Sequence, residues 1–353
     1  MVGADGKLLL PWLAEPLRQA LATQRAHALL VYGPQGVGQF ELATTLAQAW
    51  LCEAAQDARP CGVCASCRLV LARSHPDLLV LLPDAQREAL GWGTGGEGDE
   101  EKASKAKPSK EIKVEAVRQA VSFAQTTSAR GRGKVVVLHP AERMNGISAN
   151  TLLKTLEEPP GDARFVLSCA APDALLPTIR SRCQAVALGL PPRDRAIEWL
   201  EQRGLADAAV LLAAAGGQPQ DALAWRELGV DAALWTRLPA MVRQGDVSAF
   251  AGWPLPRLVD ALQKLCHDAA CVALGAAPRY FPSGAIARGA QTAALAEWNR
   301  ELQRISRHAE HPWTLGLMAE SLIQQGKRAL AGTSRADPPS NPPTKTRSLH
   351  SAT

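Results

Sequence analysis

KVVVLHPAERMNGISANTLLKTLEEPPGDARFVLSCAAPDALLPTIRSRC, residues 134–183, is the stretch that decides the fold. It opens on an unbroken apolar run, Val135 to Leu138, the signature of a strand buried on both faces. A helix is predicted next, with Ser148 as its N-cap and Leu152, Leu153 and Leu156 on its inner side. Pro159 and Pro160 end it, because proline has no N–H to donate to a helical hydrogen bond. A second apolar strand, Phe165 to Cys169, follows, and the stretch closes on Ser181, Arg182 and Cys183. Strand, helix and strand in this order predict a parallel sheet covered by helices.

Upstream, residues 12–23 have helical spacing and Ala28 to Tyr32 reads as a short buried strand. Gly33-Pro34-Gln35-Gly36-Val37-Gly38-Gln39-Phe40 comes next, and a helix is predicted from Glu41 to Trp50. Strand, glycine-rich loop and helix is the setting of a phosphate-binding loop, and Gly33 and Gly38 are in register for G-x-x-x-x-G-K-[ST]. The residues that do the chemistry are missing. Gln39 replaces the lysine that would reach the β- and γ-phosphates, and Phe40 replaces the hydroxyl residue that would ligate Mg²⁺. Gly33, Gly36 and Gly38 could still form the backbone cradle, which needs only amides and a helix N-terminus. A vestigial loop, kept for its turn, is expected.

Cys52, Cys61, Cys64 and Cys67 follow in LCEAAQDARPCGVCASCR. A C-x2-C-x2-C core with a fourth cysteine nine residues upstream offers four thiolates to one Zn²⁺. An iron–sulfur cluster is the other group that takes four cysteines. Four thiolates close the shell against water, so the site is expected to be structural, and His75 is expected to be a turn residue and not a ligand.

The 134–183 stretch resembles the bacterial clamp-loader AAA+ family, in which an N-x-LLKTLEEPP helix and an SRC motif stand at this spacing. The resemblance covers about residues 8–330, and a cysteine cluster inside the ATPase domain is part of it. It implies an α/β AAA+ P-loop domain with a five-stranded parallel sheet over 1–189, carrying a zinc module at 52–67. A three-helix lid at 190–229 and a helical collar, or oligomerisation domain, at 230–331 complete the implied architecture. Aligned on Asn150, the Asp-Glu pair that holds Mg²⁺ and orients water in active members falls on His139 and Pro140. Glu142, two residues on, is expected to point away from the site. The polar sensor falls on Cys169 or Ala170, and Gln220 stands where active members carry arginine. ATP hydrolysis by this chain is therefore not expected.

Arg182 resembles the family's arginine finger, which reaches into a neighbour's ATP site and stabilises charge on the transferred phosphoryl group. Ser181 and Cys183 would support its loop. A surface salt bridge is the plainer reading of the same arginine. The resemblance implies a non-hydrolysing subunit of the DNA polymerase III clamp loader. Its partners would be the gamma/tau ATPase subunits and the delta subunit, and through the complex the sliding clamp and primed DNA. Two other classes stand beside it: an active AAA+ ATPase, and a zinc-dependent DNA-binding module, against which the few basic residues of the cysteine loop (Arg59, Arg68) speak.

The whole chain fits this picture without dictating it. Its 353 residues allow two or three domains, and 46% hydrophobic with 21% charged residues is ordinary globular composition. A net charge of +5 suits a phosphate-bearing partner but does not select one. The N-terminal segment lacks a signal-peptide pattern and no apolar run is long enough for a membrane span, so a cytoplasmic protein with reduced cysteines is expected. Leu78 to Leu82 reads as a strand. Residues 84–110 read as a disordered insertion, and 332–353 as a disordered tail. A helix with Val114, Val117 and Val121 inward is expected from Ile112, and the basic ARGRGK turn at 129–134 reads as a solvated loop. Helices are expected at 192–203, 207–215, 220–228, 255–274, 292–309 and 313–330. Trp298, Leu302, Ile305, Trp313 and Leu317 are expected in the core, as are Cys266 and Cys271.

Overall fold

A computed structural model of the chain describes residues 1–93, 108–308 and 313–331. The predicted tail at 332–353 and the centre of the predicted insertion, 94–107, lie outside the described residues. The chain divides into two compact units, one of residues 1–208 with 217–224, the other of 209–216 with the chain from Trp225 onward.

The first unit is built on five parallel strands: β1 (Ala28–Tyr32), β2 (Leu78–Leu81), β3 (Val135–Leu138), β4 (Arg164–Cys169) and β5 (Gln184–Ala187). Their order across the sheet is β2-β3-β4-β1-β5. Ala28 lies opposite Phe165, Val136 opposite Phe165 on its other side, and Leu29 opposite Gln184. The sheet meets the expectation from sequence. The inner strands read as continuous apolar runs because helices cover both faces. Every residue of β3 is buried.

The first unit's helices are α1 (Ala14–Thr23), α2 (Gln39–Leu51), α3 (Ala65–Leu71), α4 (Asp84–Arg87), α5 (Val114–Gln125), α6 (Gly146–Glu157), α7 (Pro177–Arg180) and α8 (Arg193–Glu201). α2 packs on β3 and β4. Val117 and Ala120 of α5 and Leu152 and Leu156 of α6 form a core with Val136, Leu138, Phe165 and Leu167 of the sheet.

Several expectations are corrected. The cap of α6 is Asn145, whose side chain accepts from the Ser148 amide at 2.9 Å; Ser148 itself is inside the helix. The buried face of α5 is Val117, Ala120 and Ala124, with Val114 and Val121 only half-buried. The flanks of the predicted insertion are ordered: α4 forms at 84–87, the Ala85 amide donates to Ser109 at 3.0 Å, and Arg73 lies over the Trp92 ring.

The ARGRGK turn is solvent-exposed at Ala129, Arg130 and Gly131, as expected, but its backbone is anchored and its last residue, Lys134, is buried. Asp77, fully buried, accepts from the Ala129 and Arg130 amides at 2.8 and 2.9 Å and from the Ser128 hydroxyl at 3.0 Å. Lys134 completes the shell, 3.0 Å from the Asp77 carboxylate and 4.5 Å over the Phe123 ring. Burial pushes the Asp77 pKa up, but its hydrogen bonds outweigh this and hold it below 3.8. The folded state thus favours the carboxylate. The stabilisation is present at neutral pH and is lost as pH falls through that depressed value. Asp77→Ala is expected to cost about 3–5 kcal/mol in urea unfolding, because Lys134 would be left buried and unpaired.

The second unit is helical: α9 (Ala208–Ala214), α11 (Ala232–Gln244), α12 (Leu255–Ala273), α13 (Thr292–Arg307) and α14 (Leu315–Leu330), while α10 (Pro219–Glu227) begins in the first unit and ends in this one. Trp225 and Trp235 are both fully buried, 5.3 Å apart, and Trp253 and Phe281 pack against them. Trp298, Leu302 and Ile305 of α13 are buried as expected. Leu317 is not: it is 68% exposed, and α14 buries Leu322, Ile323, Gly326 and Ala329 instead. Cys266 is buried, whereas Cys271 is half-exposed with its sulfur 3.9 Å from His267 Nδ1, one helical turn away. Asp268 beside them is committed to the amides of Arg279, Tyr280 and Phe281 and leaves no free third ligand.

Candidate functional site

The phosphate-type loop leaves the carboxyl end of β1, where open parallel sheets place their ligands. The loop is filled by the protein's own side chains. Gln39 is 5% exposed, and its Nε2 donates to the carbonyls of Gly33 and Pro34, both at 2.6 Å. An amide that bonds the loop's own carbonyls closes the loop on itself, the reverse of a lysine reaching out to phosphate. Phe40 is buried with its ring 4.9 Å from that of His139. Burial pushes the His139 pKa down to about 4, so the imidazole is neutral at physiological pH. Its Nδ1 lies 3.0 Å from the Ser168 hydroxyl.

The glycines persist for packing. A Cβ on Gly33 would come within 2.3 Å of the Leu188 carbonyl oxygen. Gly38 has φ +109°, and a Cβ there would meet Leu10 at 2.6 Å. Gln220, at the arginine position of active relatives, donates to the Glu41 carboxylate.

Glu142 departs from expectation. Its Oε1 accepts from the Ala170 and Ala171 amides at 2.9 and 3.3 Å, so it reaches the end of β4, the expected place of the sensor. Cys169 is buried, and burial pushes its thiol up to about 12.

Arg182 lies at the end of α7 on the way into β5, two-thirds buried along its side chain. It forms an ion pair with Glu157, the last residue of α6, and donates to the Thr178 carbonyl at 2.9 Å and the Ser181 hydroxyl at 3.4 Å. Cys183 packs against the sheet core, and burial pushes its thiol up to about 12. Sequence reasoning misses the Glu157 partner. The only sign of it there is the charged pair just before Pro159, with nothing to indicate which carboxylate turns toward residue 182.

Cys52, Cys61, Cys64 and Cys67 converge, with their four sulfurs within 4.8 Å of one another. Cys52 to Cys64 and Cys61 to Cys67 are each 3.9 Å apart. A tetrahedron with metal–sulfur bonds of about 2.3 Å has edges of about 3.8 Å, so one ion fits at its centre. Backbone amides face the sulfurs: Cys64 N donates to Cys61 Sγ and Cys67 N to Cys64 Sγ, both at 3.3 Å. The Cys64 and Val63 amides pull the Cys61 pKa down to about 6, while burial pushes the Cys52 and Cys67 thiols up. His75 stays outside, its Nδ1 accepting from the Asp77 amide at 3.0 Å as a turn histidine.

The segment is fastened to the ARGRGK turn. Glu53 pairs with Arg130 at 2.6 Å, and Arg130 also donates to the Ser66 hydroxyl at 2.9 Å. Arg132 donates to the Glu53 carbonyl at 3.2 Å. Among the described residues no helix is long and apolar enough to cross a membrane.

Comparison with known proteins identifies the family. A family model described as DNA polymerase III, delta subunit, matches residues 11–191. DNA polymerase III subunit delta' of Pseudomonas aeruginosa is 40% identical over 215 residues, 58% of this chain and 58% of that one. The Yersinia pestis subunit delta' is 37% identical over 194 residues, 54% of this chain and 51% of its own length. The Escherichia coli subunit delta' is 31% identical over 284 residues, 74% of this chain and 78% of the relative. The match thus spans little more than half the length of the first two relatives and most of the third. With its sheet, glycine loop and SRC segment inside the matched region, the chain belongs to the DNA polymerase III delta-subunit family.

Proposed function

We propose that the chain is a delta prime-like clamp-loader subunit that turns over no ATP itself and presents Arg182 to ATP held by a neighbouring subunit. One observation carries the reading: the would-be phosphate cradle is plugged by Gln39 and Phe40, while the SRC arginine is kept near the surface on a weak tether. Gamma/tau would supply the ATP-bearing neighbour and delta the contact on the other side. The assembly would open the sliding clamp and place it on primed DNA. In this reading residues 190–229 are the lid and 230–331 the collar. The 52% and 68% exposure of Leu315 and Leu317 on α14 supports a collar face that another subunit covers.

The cysteine cluster is assigned to structural Zn²⁺. Four thiolates leave no open position for water or substrate, and the sulfur spacing suits a single ion and not a cluster of several metals. Bound there, the ion would supply a crosslink and no chemistry.

The isolated chain is expected to release phosphate from ATP no faster than a heat-inactivated sample, with or without DNA. Gln39→Lys with Phe40→Thr is expected not to restore turnover, since His139 and Pro140 still lack the carboxylates that hold Mg²⁺ and orient water. Turnover by the purified wild-type chain would sink the non-hydrolysing reading.

A further inference from the structure

Three arginines far apart in sequence meet in a groove of about 500 Å³ in the first unit: Arg25 after α1, Arg59 in the cysteine segment, and Arg164, the first residue of β4. Trp50 and Asp162 line it with them. His27 and Arg164 stand at the amino ends of β1 and β4, so the groove is at the opposite end of the strands from Gly33 and Cys169. It is therefore separate from the glycine loop, and a role for it does not depend on the one given to Arg182.

The cations are poorly neutralised. Arg164 is half-buried, its guanidinium 5.3 Å from the Trp50 ring centre, and among the described residues neither it nor Arg25 has a side-chain hydrogen bond or ion pair. Arg59 spends only Nε, on the Ala54 carbonyl at 2.8 Å. Burial, and to a lesser degree the nearby Arg59 charge, lowers the Arg164 pKa, and Asp162 opposes this. Three guanidinium groups against one carboxylate leave the groove positive. A guanidinium drawn partly out of water without a partner is unfavourable until an anion supplies the missing acceptors. Its planar fork matches the paired oxygens of a phosphate.

We propose that this groove binds a phosphate group of a nucleic-acid backbone. Trp50 is 5% exposed and its face is covered by Arg164, so no aromatic surface remains for a base to stack on. Recognition is thus of backbone and independent of sequence. The cysteine loop alone is too poor in basic residues for such a role. The fold supplies the rest by bringing Arg25 and Arg164 to Arg59.

The test is fluorescence anisotropy of a labelled primed-template DNA against the full metal-bound chain over a series of KCl concentrations. Arg25→Gln with Arg164→Gln is expected to weaken binding several-fold at low salt and to flatten the log–log salt slope by about 0.9 for each phosphate no longer neutralised. Arg68→Gln, an exposed cation of the same segment outside the groove, is expected to leave the slope unchanged. Arg25→Gln alone, at an exposed position, carries the test if Arg164→Gln disturbs folding. Wild-type affinity and slope in the groove variants would overturn the proposal. So would absence of DNA binding by the wild-type chain at low salt, or variants that lose affinity for a poly-glutamate peptide while keeping it for DNA.

Discussion

Arg182→Ala in a reconstituted loader is expected to reduce DNA- and clamp-stimulated ATP turnover on the order of 10³-fold at the site this residue serves, with the complex intact. A guanidinium laid against the transferred phosphoryl group offsets charge that develops only in the transition state, so its removal lowers the rate and not the assembly. In the single chain the same guanidinium is held by Glu157, the Thr178 carbonyl and Ser181. With Glu157 nearly half exposed to screening solvent, the ion pair is worth about 0–1 kcal/mol, so leaving it for a phosphate costs little. For the same reason Arg182→Ala should hardly alter the unfolding of the isolated chain, which separates catalysis from stability. Arg182→Lys is expected to recover only part of the rate, since an ammonium cannot engage two phosphate oxygens with one planar fork. Phosphate release and gel filtration on the same samples decide the matter. Unchanged release with the variant incorporated would leave Arg182 as a surface salt bridge.

How far each feature is legible in the sequence depends on how local it is. β1 and β3 are legible because a strand covered on both faces must be apolar throughout. β5 is not: QAVA sits at the sheet edge with alternate residues exposed, too short and too mixed to stand out. Loss of the catalytic lysine at Gln39 is plain, but the fate of its side chain is not. Whether a glutamine points outward or bonds its own loop is a matter of rotamer and burial. The four cysteines declare themselves by spacing, yet the Glu53–Arg130–Ser66 network that braces them joins residues 77 apart and has no local pattern. Leu317 shows the opposite error. Helical spacing puts it in the core, but α14 offers the core only its later turns and leaves its first turn exposed.

Removal of the cysteine-bound metal is expected to have the larger effect on stability, because the cluster ties three parts of the first unit together. Cys52 directly follows α2, the helix that begins at the glycine loop, and Cys64 caps and Cys67 lies within α3. Cys52 and Cys67 are both fully buried. Without a metal, four converging sulfurs are left unbridged, and the thiols must take up protons where amides are arranged to face thiolates. Glu53, one residue from Cys52, would lose the fixed geometry that lets it hold Arg130 and Arg132, which lead into the buried Asp77–Lys134 pair. Structural zinc contributes about 10–16 kcal/mol to isolated finger peptides that have no other core. Here the sheet persists without it, so a smaller effect is expected, a drop of about 10 °C in the calorimetric unfolding midpoint for about 3–5 kcal/mol lost. Cys67→Ala should reproduce the drop and abolish release of one Zn²⁺ per chain on thiol modification. Cys271→Ala, at a half-exposed site in the second unit, should change neither. A chain purified under reducing conditions without metal, and with the same midpoint after Cys67→Ala, would show that the four sulfurs meet for packing alone. Iron with visible charge-transfer absorbance in place of zinc would assign the site to the other metal chemistry that four cysteines support.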